Sequence, residues 1–156
     1  SLIITDVASA FKAAQVLVEA AKAEAEEEAE KRDDAELASL KEAWGQQGSK
    51  LTQGGAKVVK DLEKEQKSRT TRMVRDYLDR ALLDIATLYR DILLIQANSL
   101  DSTINTDLIS EITKISNSTT PEATLAKLEA IMSARTNLSH NAAPLLTIEA
   151  LMVSLK

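Results

Sequence analysis

One histidine, no cysteine and 24 acidic residues are the raw material for chemistry in this 156-residue chain. His140 stands beside Asn141 in a connection between two helical patterns, with no converging carboxylate in the local sequence. A metal site or a general base needs several such groups brought together, so His140 reads as an exposed loop or capping residue. The lack of cysteine removes disulfides, thiolate zinc sites and thiol nucleophiles together. The carboxylates fall at surface-type helix positions, and there is no Glu-x-x-His pair of the kind a di-metal helix bundle uses. No nucleophile elbow or dinucleotide fingerprint occurs. The stretch GQQGSKLTQGG, 45–55, holds all four glycines, but its glycine and lysine spacing is not that of a phosphate-binding loop and no apolar strand precedes it. The expectation is a protein that is not an enzyme and holds no cofactor or metal.

A second candidate chemistry is electrostatic. Residues 1–50 carry 6 basic and 11 acidic side chains, residues 51–90 carry 9 and 6, and residues 91–156 carry 4 and 7. Only the middle segment offers a cationic surface. There Lys57, Lys60, Lys64, Lys67, Arg69, Arg72, Arg75 and Arg80 recur at helical spacing, and phosphate backbones attract such stripes by counterion release. Lys64, Lys67, Arg69 and Arg72 are the candidates for nucleic-acid contact. Against this, Asp61, Glu63, Glu65, Asp76 and Asp79 interleave with them at ion-pair spacing, and no aromatic side chains are interspersed for base stacking. A solvated helix laced with salt bridges is the stronger reading.

The elements that must position these residues are helical. Aromatics are 3% of the chain and only two prolines are present, which is too few turn and strand formers for an all-β protein. The fold class expected is all-α, a bundle of about five to six helices with a long central helix. Residues 1–44 form an acidic helical lead-in, 45–55 a glycine-rich loop and boundary, and 56–156 a C-terminal helical domain.

The first helix is marked by Ile3, Ile4, Val7, Phe11, Ala14, Leu17, Val18 and Ala21, with Thr5 or Asp6 as its cap. From Ala23 to Asp34 the apolar stripe narrows to alanines among glutamates, which predicts a solvated or fraying helix. A long helical pattern runs from about Val58 to Asn98, either unbroken or broken at the polar patch Ser68 to Thr71. Its half from Met73 to Ile95 is the most apolar part of the chain and reads as the central core helix. Three shorter helices follow. The first begins near Asp101 or Ser102 and uses Ile104, Leu108, Ile109, Ile112 and Ile115. The second is capped by Thr120 with Pro121 at its first position and uses Leu125, Leu128, Ile131, Met132, Arg135 and Leu138. The third starts around Asn141 to Pro144 and uses Leu145, Ile148, Leu151, Met152 and Leu155. No apolar run approaches the roughly 20 residues of a membrane span, and no signal-peptide pattern is present. The chain reads as cytoplasmic and, beginning at Ser, as a piece of a larger protein.

The stretch DLEKEQKSRTTRMVRDYLDRALLDIATLYRDILLIQ, 61–96, carries a resemblance. Leu62-Glu63-Lys64, Gln66-Lys67-Ser68-Arg69 and Tyr89-Arg90-Asp91 are its matching pieces. Thr119 to Leu125, Arg135, Asn141-Ala142-Ala143-Pro144 and Glu149-Ala150-Leu151 continue it in order and spacing. Over 56–156 the chain resembles the C-terminal domain of the δ′ (delta-prime) subunit of the bacterial DNA polymerase III clamp loader, in its high-GC Gram-positive form. Residues 1–55 fit only loosely. The resemblance implies a helical domain that joins equivalent domains of the δ and τ/γ subunits in a closed collar. ATP chemistry would belong to AAA+ modules upstream, DNA contact by this stretch is not expected, and self-association is open to it in isolation. The structural or interface candidates are Tyr89, Arg90, Asp91, Asn141, Pro144 and Glu149. Arg90 and Asp91 could satisfy buried polar groups or pair with a neighbour. Asn141 and Pro144 read first as cap and first turn of the last helix, and Glu149 could pair with Arg135 or Arg90. A scaffold bundle unrelated to replication is the remaining alternative.

Overall fold

In the computed structural model, which describes residues 6–43, 53–99 and 102–156, five α-helices follow one another and no strand occurs among the described residues. They are α1 (Val7–Ala43), α2 (Gln53–Gln96), α3 (Ile109–Ser118), α4 (Pro121–Ser139) and α5 (Pro144–Ser154). A short 3-10 turn, Thr106–Leu108, leads into α3. The all-α reading therefore holds.

Local chemistry explains where the helices start and stop. Asp6 opens α1 by a reciprocal cap: its Oδ1 accepts from the Ser9 backbone N–H at 2.7 Å, while the Ser9 hydroxyl oxygen accepts from the Asp6 N–H at 3.1 Å. Thr120 caps α4 by accepting from the Ala123 N–H at 3.2 Å, and Pro121 occupies the first turn. Both α2 and α4 end on an asparagine in the left-handed region, Asn98 at φ 58° and Asn141 at φ 64°. Behind each, two backbone N–H groups fold back: Asn98 to Ile95 and Ser99 to Leu94, then Asn141 to Leu138 and Ala142 to Asn137. This is the Schellman pattern, in which a left-handed residue satisfies the last carbonyls of the helix.

The two long helices are informative when set against expectation. α2 runs unbroken through Ser68 to Thr71. There the Thr70 and Thr71 hydroxyls donate to the Gln66 and Lys67 carbonyls one turn back, at 3.1 and 2.9 Å, so the polar side chains bond to the helix instead of ending it. α2 also begins at Gln53, so Gly54 and Gly55 are helical and only 45–52 of the expected loop stays outside the described residues. In α1 the alanine-rich stretch does not fray, and Ala21, Ala25 and Ala29 are buried.

Residues 19–77 form one compact unit, and the described part of 1–18 together with 78–156 forms another. The division thus falls within α1 and α2, not at the glycines. In the first unit the two helices pair antiparallel: Tyr77 bonds to Glu28, Met73 lies against Arg32, and Arg69 and Gln66 bond to Asp33 and Glu36. In the second, Leu78, Leu82, Ile131, Leu138 and Ile148 are fully buried, each worth about 1.5–3 kcal/mol of apolar burial. α4 and α5 pack on each other there.

Several residues expected to face the core do not. Val7 and Phe11 are exposed on α1, where Ala10, Ala13, Ala14 and Val18 are buried instead. Leu125 and Met132 on α4 and Leu145 on α5 are exposed too. Ile104 does not begin a helix: it lies before the 3-10 turn, exposed, and α3 starts only at Ile109.

Candidate functional site

The cluster Tyr89-Arg90-Asp91 sits near the C-terminal end of α2. Asp91 is fully buried, and a buried carboxylate is costly unless its oxygens are satisfied. Three donors satisfy one of them: Oδ2 accepts from the Ile104 N–H at 3.0 Å, the Asn105 N–H at 2.8 Å and the Asn105 side-chain amide at 2.7 Å. The other oxygen meets the Arg90 guanidinium at 3.4 Å, and Arg90 donates onward to the Ser102 carbonyl at 3.2 Å. Burial opposes ionisation of Asp91, but the Asn105 and Ile104 donors and the Arg90 charge outweigh it and hold the carboxyl below its usual range. Tyr89 is half-buried, and burial pushes its phenol up.

This arrangement fastens the chain after α2 to α2. With Asp91 fully buried, its carboxylate faces these donors and not solvent, an arrangement suited to holding the chain. The internal reading of Arg90 and Asp91 is the one the contacts support. Asn105, fourteen residues from Asp91, carried no sequence signal, because any of the polar residues after Asn98 could have met that carboxylate.

The other candidates are scattered. Asn141 belongs to the end of α4 and does not cap α5. Ala143 holds the cap position of α5 without a side-chain bond, and Pro144 is in its first turn as expected. Glu149 is half-buried and pairs with neither Arg135 nor Arg90, the partners expected for it. Arg135 instead grips Asp79, with Nε to Oδ1 at 2.7 Å and Nη2 to Oδ2 at 2.9 Å, and Arg90 goes to Asp91. The hydrogen bond from Arg135 holds the Asp79 carboxyl down against partial burial. Along the basic stripe, Lys64, Lys67 and Arg72 are exposed. Arg69 is not available to a nucleic acid, because it is bonded to Glu36 and Asp33. That bond to Glu36 lowers the glutamate's pKa and raises the arginine's. No group of three or more His, Cys, Asp or Glu able to hold a metal ion occurs among the described residues.

Apolar surface appears at several positions that the helical pattern assigned to the core. Leu146 is 67% exposed and Ile104 62%. With Val153 and Leu145 on α5, Leu125 and Met132 on α4, and Phe11 on α1, they leave large hydrophobic side chains in water. Exposed hydrophobic side chains are ordinary singly, and it is a contiguous patch of them that marks an interaction surface. Among the described residues no helix is long and apolar enough to cross a membrane. Comparison with protein-family models, curated proteins and solved structures finds no match for this chain.

Proposed function

We propose that this chain is a non-catalytic oligomerisation domain of the collar type, from a δ′ subunit of a bacterial DNA polymerase III clamp loader. Its work is to assemble the cytoplasmic complex that loads the sliding clamp in DNA replication. The observation that carries the reading is the exposed apolar side chains of α1, α3, α4 and α5, gathered in the same compact unit. A collar domain has to present a packing face to each neighbour. The δ and τ/γ subunits are the partners this reading names, and the resemblance over 56–156 is why it names them. Arg90 and Asp91 then act as internal fastenings, and Leu125, Leu146 and Val153 as contact residues.

The test is sedimentation of the chain, alone and joined to an upstream AAA+ part, with purified δ and τ/γ subunits. Co-migration that weakens when Leu146 and Val153 are changed to glutamate is the expected result. No association even with the AAA+ part restored would sink the reading. The nucleic-acid alternative now rests on Lys64, Lys67 and Arg72, since Arg69 is engaged within the unit. It requires DNA binding at low salt that falls steeply as salt rises.

A further inference from the structure

α3 is attached to α2 by polar groups at both of its ends. At the leading end, Asp91 takes the N–H groups of Ile104 and Asn105, and Arg90 takes the Ser102 carbonyl. At the trailing end, the Gln96 side-chain amide donates to the Ser116 carbonyl at 3.2 Å and the Thr119 carbonyl at 3.0 Å. Apolar attachment is slight in comparison. Within α3 only Ile112 and Ser116 are buried, while Ile104, Leu108 and Ile115 around them are exposed. At ten residues, α3 is also shorter than an isolated helix needs to persist in water.

We propose that residues 102–118 undock from α2 and open as one unit ahead of the rest of the protein. Local opening draws on regions that bury few apolar contacts, and this segment buries one apolar side chain within its helix. The fastening is also incomplete: the Gln96 side-chain carbonyl oxygen is buried without a hydrogen-bond partner. Undocking hydrates that oxygen and so recovers part of what the lost bonds cost. The Asp91 contacts then act as the latch, because a buried carboxylate holding three N–H groups resists release more than an amide pair does.

Native-state hydrogen exchange of the whole chain, followed by mass spectrometry over a series of low denaturant concentrations, tests this. Amides of 110–118 are expected to exchange at least roughly tenfold faster than those of α4, with a shallow denaturant dependence. Gln96→Ala should speed exchange of 102–118 by roughly tenfold more, leaving α4 and 19–77 unchanged. Asp91→Asn should act on the same segment. Equal protection of 110–118 and α4 with the same denaturant slope would overturn the proposal. So would a Gln96→Ala chain whose helices all accelerate in step. Because Gln96 is half-buried at the end of α2, that variant remains informative if Asp91→Asn does not fold.

Discussion

Residues 19–77 and the unit made by the described part of 1–18 with 78–156 hold helices together by different means. In 19–77 the seam is alanine, at positions 21, 25 and 29, and its edges are tied by part-exposed polar bonds from Arg69, Gln66 and Tyr77. In the other unit the core is Leu and Ile, with one fully buried carboxylate, Asp91, fixed by backbone N–H groups. The surfaces differ as well. Among the described residues, every exposed large hydrophobic side chain lies outside 19–77. They stand on the ends of the long helices, as Val7, Phe11, Val16 and Leu83, and on the short helices that follow. The unit with the larger core is thus also the one that carries the exposed apolar side chains.

The sharpest way to break this comparison is Asp91→Ala. It strands three donors and removes the anchor of 102–105, and should cost about 3 kcal/mol. Urea unfolding followed with exchange probes in each unit should show the loss in 78–156. A fall shared equally by both units would mean that the two are one energetic body.

Acid is the milder form of the same test. Asp91 and Asp79 both have carboxyls held below their ordinary value of 3.8. Their stabilisation is therefore complete above that value and is lost as pH falls through the lower folded pKa. Glu36 in 19–77 is likewise held below 4.5, so stability should begin to decline as pH falls below about 5, and Asp91→Asn should flatten the part of the curve that belongs to 78–156.

Ala25→Leu probes the other region, since Ala25 is fully buried in the seam. Overpacking there should cost about 1–3 kcal/mol, seen as a lower melting temperature with faster exchange in 19–77. Arg135→Ala, which removes the bidentate pair with Asp79, should cost only about 1 kcal/mol. The pair is partly exposed, and salt should shrink the effect further.

Sequence reasoning served best where the physics is local. The caps at Asp6 and Thr120, the Pro121 start and the all-helical class follow from neighbours three or four residues apart. It served less well where a choice depended on distant partners. Whether Ala10 or Phe11 faces inward depends on how closely the neighbouring helix approaches, and the apolar period alone does not separate adjacent residues. Asp79 and Arg135 are 56 residues apart, so nothing in either neighbourhood announced their pairing. Thr70 and Thr71 leave a break open for another reason: low helix propensity describes an isolated helix, and here their hydroxyls return to the helix's own carbonyls.

The two asparagines that close α2 and α4 have a consequence for chirality. At positive φ an L-residue sits in the mirror image of its preferred helical conformation, which Asn tolerates better than most residues. A D-amino acid has its own preference in that region. In a chemically made chain, D-alanine at position 141 should therefore finish α4 without strain, while the same residue at position 130, inside the helix, should disrupt it. At these two places the fold asks for the opposite hand, and among the chiral coded residues asparagine comes near to supplying it.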